Sequence, residues 1–266
     1  MIDGGYFLKR LPQLVNTESN TKLSAAEVAE KARYLCKRHV LNLTTGSSSV
    51  DDAEKMRWLD HVYRLFYYDA LPYKGTAHHP LSNQHVDFGR TETARFRLDL
   101  FNQIRKTRKF ALRLGHVVKD GDWRIDTSYT KTFLQLHGWL DHIKDALIDR
   151  QPISELPSED IKRLKNLLST WGNLHEQEVS MPLRQKGVDM RIGLDISTMA
   201  LKQQVDTIIL VTGDSDFVPA AKLARREGVE FLLDPLWQKV SDDLLEHVDG
   251  IVSALAQRNS NRMQCA

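Results

Sequence analysis

The stretch that most constrains this chain is Ile208-Ile209-Leu210-Val211-Thr212-Gly213-Asp214-Ser215-Asp216-Phe217. An uninterrupted apolar run, mostly β-branched, suits a strand buried on both faces, and the Gly-Asp-Ser-Asp after it ends it in carboxylates. Phe217 to Glu227 then has helical periodicity, with Pro219 tolerated in a first turn and Gly228 suited to the position just past the end. Val229 to Leu233 supplies the next strand. The unit is strand, acidic turn, helix, strand with a right-handed crossover, and ligands of such open α/β sheets bind beyond the carboxyl ends of the strands.

The rest of the chain predicts more of the same. Met1 to Leu8 reads as a first strand carrying Asp3 near its end, with Pro12 and Asn16 to Lys22 as the loop after it. Ser24 and Glu27 match a capping box at the start of an amphipathic helix. Gly46 to Ser49 reads as a link, His61 to Tyr68 as a second strand leading into Asp69, and Lys74 to Arg90, with His78, His79 and His85, as an exposed loop. A basic helix is expected over Thr93 to Lys106, a third strand over Phe110 to Val118, and a short extension over Trp123 to Asp126. Helices come next over Thr130 to Ile148, Ser158 to His175 and Val188 to Gln204, and a last one over Val240 to Ala256. The expectation is one doubly wound α/β domain of about five parallel strands over 1–256, with a helical insertion at about 127–181 and a polar tail over 257–266.

Of 266 residues, 37 are Lys or Arg and 35 Asp or Glu. Total charge therefore singles out no nucleic-acid partner, and only its distribution carries a signal. Cys36 and Cys265 sit too far apart in kind, one in a helix and one in the tail, to suggest a disulfide or metal cluster. No apolar run is long enough to span a bilayer, and a signal-peptide core is not evident, so a cytoplasmic protein is expected.

Carboxylates recur where strands end or helices begin: Asp3, Asp189 at the head of a helix as an N-cap would be, and Asp214 with Asp216. Asp189 and Asp214 have a structural explanation as caps, whereas Asp216 does not. Hard divalent cations take such oxygen ligands. Asp195, six residues after Asp189, falls about 240° around the helix from it.

Ile2-Asp3-Gly4-Gly5-Tyr6, Lys186-Gly187-Val188-Asp189 with Asp195, and Thr212-Gly213-Asp214-Ser215-Asp216-Phe217 resemble the three signature stretches of the NYN domain, in the LabA-like branch of the PIN-like nucleases. The resemblance extends to Arg226-Glu227-Gly228-Val229 and Leu244 to Asp249, and leaves out the helical insertion. It departs at Tyr6, where many members carry Asn. The resemblance implies a PIN-like fold that binds Mg²⁺ or Mn²⁺ through Asp3, Asp189, Asp214 and Asp216 and hydrolyses RNA phosphodiesters, with Asp195, Lys186 and Ser215 in supporting positions. Attack in line leaving a 5′-phosphate is likewise what the family implies.

Arg90, Arg95, Arg97, Arg105, Lys106, Arg108 and Lys109 are the candidate RNA-binding side chains, against the alternative of a solvated face. Phe101 and Phe110 are expected in the core. The histidines lack ordered zinc-ligand spacing. Trp139 and Trp171 suit either the packing of the insertion or a protein-partner or homo-oligomer surface. Two other functions compete: an RNA- or protein-binding module without catalysis, and a Mg²⁺-dependent phosphatase. The phosphatase reading lacks D-x-D at Asp3, and the quartet of carboxylates argues against a metal-free binder, because unneutralised acids repel one another and RNA.

Overall fold

The computed structural model describes residues 1–15, 22–45, 57–148 and 157–256. In chain order the elements begin with β1 (Ile2–Asp3), α1 (Gly4–Leu14), α2 (Ala25–Thr45), β2 (Leu65–Leu71), β3 (Thr76–His78), β4 (His85–Asp87), α3 (Glu92–Lys106) and β5 (Phe110–Lys119). They continue with β6 (Arg124–Ile125), α4 (Thr127–His137), α5 (Leu140–Ile148), α6 (Ser158–Gly172), β7 (Val179–Ser180), β8 (Leu183–Lys186) and α7 (Val188–Leu201). The last are β9 (Thr207–Val211), α8 (Val218–Arg226), β10 (Glu230–Asp234), α9 (Asp242–Leu245) and β11 (Gly250–Ile251). The chain divides into two compact units, one of residues 1–74, 88–118 and 185–266, the other of 75–87 and 119–184.

The first unit is built on a seven-stranded sheet in the order β11-β10-β9-β1-β2-β5-β8. The pairings from β11 across to β5 are parallel. This is the expected α/β class with a mostly parallel sheet, compatible with a PIN-like fold, although more strands are present than the five expected. Both faces are covered. On one, Ile2, Tyr67 and Val211 pack with Phe7 and Leu11 of α1, Ala32 and Leu35 of α2 and Leu100 and Ile104 of α3. On the other, Phe66, Tyr68 and Leu210 pack with Ile192 and Ile196 of α7 and Ala221 and Ala224 of α8. Alternation along β2 sends Tyr67 and Tyr68 to opposite faces, which is why a run of four hydrophobic residues there is buried throughout. Phe101 is fully buried, and Phe110 packs against the first face.

The first strand is shorter than expected. It stops at Asp3, whose Oδ1 accepts from the Tyr6 backbone N at 3.1 Å and so caps α1. An N-capping Asp starts a helix at once, and Pro12 stands inside its last turns rather than in a loop. Gly4 makes the abrupt change possible: a Cβ there would stand 2.5 Å from the Tyr68 carbonyl oxygen and 2.7 Å from the Tyr67 ring. Gly4→Ala is expected to cost about 1–3 kcal/mol, toward the upper figure because a strand carbonyl cannot move aside. Urea unfolding would read this as a lower midpoint with an unchanged slope.

The chain's end also differs from expectation. The helix expected over Val240 to Ala256 is a single turn, α9, with β11 after it on the sheet edge. Asp249 explains it, since its carboxylate accepts from Phe231 N at 2.8 Å and Arg225 Nε at 2.8 Å, drawing the chain alongside β10. Long-range pairing overrides local helix propensity here. Among the described residues, no helix is long and apolar enough to cross a membrane.

In the second unit, the expected loop of 74–90 contains a hairpin, β3 and β4, in which His78 faces His85. Asn83 takes the left-handed conformation (φ 55°) that closes its turn, a role for which Asn is suited. Buried His79 packs its ring 4.9 Å from Trp123. The single helix expected over Thr130 to Ile148 is two, α4 and α5, broken at Gly138-Trp139; Asp126 caps the first by accepting from Ser128 N at 2.9 Å. Trp171 of α6 packs on Phe133 of α4, ring centres 5.3 Å apart. The link at Gly46 to Ser49, most of the loop before Lys22, Pro152, the tail and Cys265 lie outside the described residues.

Candidate functional site

In parallel register Ile2 lies beside Val211 and Asp3 beside Tyr68, so β1 and β9 end side by side while β2 runs on through Asp69 to Leu71. The residues just past β1 and β9 are therefore brought together, beside the last residues of β2. Thr212, fully buried, holds the junction: its Oγ1 donates to Asp3 Oδ2 at 3.4 Å and accepts from Asp214 N at 3.3 Å. Asp214 Oδ1 accepts from Asp216 N at 3.0 Å, capping a short 3-10 turn over Ser215–Phe217. Asp214, Ser215 and Asp216 are exposed. Asp214 is thus a cap, and it also opens to solvent at the strand end.

Asp3 sits in an unfavourable place for a charge. Burial pushes its carboxyl up from 3.8 to about 6, the nearby charges of Asp189 and Asp69 add to the rise, and the bonds from Tyr6 N and Thr212 oppose it. Three carboxylates consequently share one electrostatic field. Asp189 is not the cap of α7: Gly187, at φ 76°, occupies that position, and Asp189 stands in the first turn, where the helix dipole favours an anion.

Tyr6 forms one wall. Its OH donates to the Pro235 carbonyl at 2.5 Å, and its ring lies so close to Gly213 that a Cβ there would stand 2.9 Å from it. Glycine is needed at the acidic turn because the aromatic residue occupies the side-chain position.

Compared with known protein families, residues 147–255 match the model of the NYN domain. That stretch carries an NYN domain. That domain belongs to the PIN-like nuclease superfamily. No curated protein and no solved structure matches the chain. The matched residues include Asp189, Asp195, Asp214 and Asp216. Asp3 precedes the matched stretch and joins it through the pairing of β1 with β9.

The remaining expected site residues of the NYN domain are more scattered. Asp195 accepts from Tyr68 OH at 2.9 Å and Arg113 Nε at 3.1 Å, on the face of the sheet covered by α7, and is not among the charges that shift Asp3. Lys186 is exposed at the end of β8. Among the described residues, no three His, Cys, Asp or Glu side chains stand in a ready metal-holding group.

The basic run is divided by its own helix. The 15 residues of α3 span about 22 Å. Arg97 reaches Asp69, beside the strand ends. Arg105, Lys106, Arg108 and Lys109 lie at the far end of α3, where Lys109 O accepts from Leu65 N at the start of β2. Arg90, Arg95, Arg105, Lys106 and Arg108 are exposed, and Lys109 Nζ donates to the Val62 carbonyl.

Asp69 joins the site without having been among the expected site residues. It is fully buried; its Oδ1 accepts from Ala70 N at 2.7 Å, from Arg97 and from Gln185 Nε2 at 3.5 Å, while Oδ2 has no hydrogen-bond partner among the described residues. Burial raises its carboxyl, with Arg97 opposing. The signal was available, since Asp69 directly follows the apolar run Leu65-Phe66-Tyr67-Tyr68.

Proposed function

We propose that the protein is a metal-dependent ribonuclease, an endonuclease on RNA, working in the cytoplasm. The observation that carries this reading is Asp3, held between Tyr6 N and Thr212 in the field of Asp189 and Asp69 at the strand ends of an NYN domain. Holding Asp3 partly buried in the field of two further carboxylates is unfavourable unless a cation offsets them. The donor chemistry fits: the side chains are hard oxygens, and the buried Asp69 Oδ2 is without a hydrogen-bond partner among the described residues. Asp3, Asp189, Asp214 and Asp216 would hold Mg²⁺ or Mn²⁺, which supplies a Lewis acid and a water of lowered pKa when bound.

The chain's own contributions are positional and electrostatic. Tyr6 N and Thr212 fix both oxygens of Asp3. The 3-10 turn fixes Asp214, and the first turn of α7 presents Asp189. Lys186 and Arg95, both exposed, would attract the phosphate backbone.

One observation favours a second reading, RNA binding without cleavage: the described carboxylates are not gathered into a ready metal-holding group. The deciding experiment incubates single-stranded and hairpin RNAs with the protein in Mg²⁺, Mn²⁺ or EDTA and compares it with Asp214→Asn. Cleavage that needs the metal and falls about 10²–10³-fold in the folded variant is the expected result. RNA bound but uncut under every condition would establish the second reading instead.

A further inference from the structure

The backbone just past β10 is strained where no glycine relieves it. Leu236 and Trp237 both have positive φ, 47° and 65°. Successive left-handed residues with bulky side chains are uncommon and persist only where the surroundings impose them. Here they do. Asp234 Oδ1 accepts from Leu236 N at 2.8 Å, and Arg10 Nη2 donates to Leu236 O at 2.9 Å. Trp237 N donates to Ser253 Oγ at 3.2 Å and its indole Nε1 to Leu255 O at 2.7 Å. Asp234 is itself held by His39 at 2.8 Å and by Ala254 N at 3.2 Å.

These bonds leave Leu236 fully buried and Trp237 46% exposed. The indole's polar edge is satisfied within the protein while much of its ring surface stays in water. Its location is equally specific. Asp234 lies beside Val211 in parallel register, so the residues after β10 leave the sheet next to those after β9, the acidic turn of Asp214. Tyr6 joins the two exits, with its ring against Gly213 and its OH on Pro235 O.

We propose that Trp237 is a stacking platform for a base of single-stranded RNA, positioning the strand beside the acidic turn. This deepens the ribonuclease reading and rests on it. An aromatic face stacks on any base but requires that base to be unpaired, so the platform selects single strands over duplexes without reading sequence. Fixing the indole beforehand reduces the ordering cost of binding.

The test is anisotropy titration of fluorescein-labelled single-stranded and duplex RNA with the full chain in EDTA, so that binding is read without cleavage. Wild type is expected to prefer the single strand. Trp237→Ala should weaken single-strand binding about tenfold and leave duplex binding unchanged, whereas Trp237→Phe, which keeps a ring but loses the bond to Leu255, should recover most of the affinity. Unchanged single-strand affinity in Trp237→Ala overturns the proposal. So does Trp237→Phe behaving like Trp237→Ala, because the bond to Leu255 rather than the ring would then be what matters. Those results leave the nuclease reading intact. Wild type that neither binds nor cuts RNA removes that reading, and the platform with it.

Discussion

Asp3→Asn is expected to lower cleavage steeply and at the same time to make the metal-free protein more stable at neutral pH. Both effects come from one charge. Asn caps helices as well as Asp does, so the bond from Tyr6 N is retained and the substitution isolates the ionisation. The folded carboxyl titrates at about 6 instead of 3.8. Between those values the folded state binds the proton more tightly than the unfolded chain does. Stability from this group is therefore complete below pH 3.8 and is lost as pH rises through 6. At pH 8 the ionised carboxylate costs the fold about 3 kcal/mol, at 1.36 kcal/mol per pKa unit. Asn never bears that cost.

Urea unfolding in EDTA should thus place Asp3→Asn above wild type by about 1–3 kcal/mol at pH 8, with the gap closing toward pH 4. Mn²⁺ should raise wild type and leave the variant unmoved, because only a protein that binds the ion gains from it. Cleavage should fall about 10²–10³-fold. A variant less stable than wild type at pH 8 would mean that Asp3 serves the fold rather than the reaction. The opposed effects are those of a residue kept for function at the expense of stability.

Local chemistry decides the parts of the structure that could be read from the sequence. The apolar run, Pro219 and Gly228 foretold β9, α8 and the turn after it, where Gly228 has φ 79°. Ser24 and Glu27 form the expected reciprocal cap, with Ser24 N on Glu27 Oε2 at 2.7 Å and Glu27 N on Ser24 Oγ at 3.3 Å. The carboxylates at strand ends were legible for the same reason. The illegible parts depend on partners far along the chain. β11 exists because Asp249 bonds Phe231, and β1 is short because Gly4 fits against β2, neither of which leaves a periodic trace. The roles of Arg97 and Asp69 belong to this class: the sequence offers a basic helix and an Asp, and only the fold shows that they are partners.

That partnership makes a second large prediction. Arg97→Met leaves the fully buried Asp69 carboxylate facing Gln185 and a backbone N–H without its cation. Removing one member of a buried pair costs about 3–5 kcal/mol, most of it the stranded charge. The pH response has a definite sign. Burial already raises Asp69, and losing the guanidinium raises it further, so the deficit should shrink as pH falls and the carboxyl takes up its proton. Arg97→Met combined with Asp69→Asn should regain most of the loss, a coupling that denaturant unfolding of the four proteins in the cycle measures directly. Were Arg97 a phosphate contact instead, the single substitution would leave stability unchanged and lower the salt dependence of RNA binding by about one counterion. Asp69 also raises Asp3. Asp69→Asn alone should therefore lower the Asp3 pKa, moving the acid limb of the cleavage–pH profile to lower pH, an effect that a purely structural ion pair would not produce.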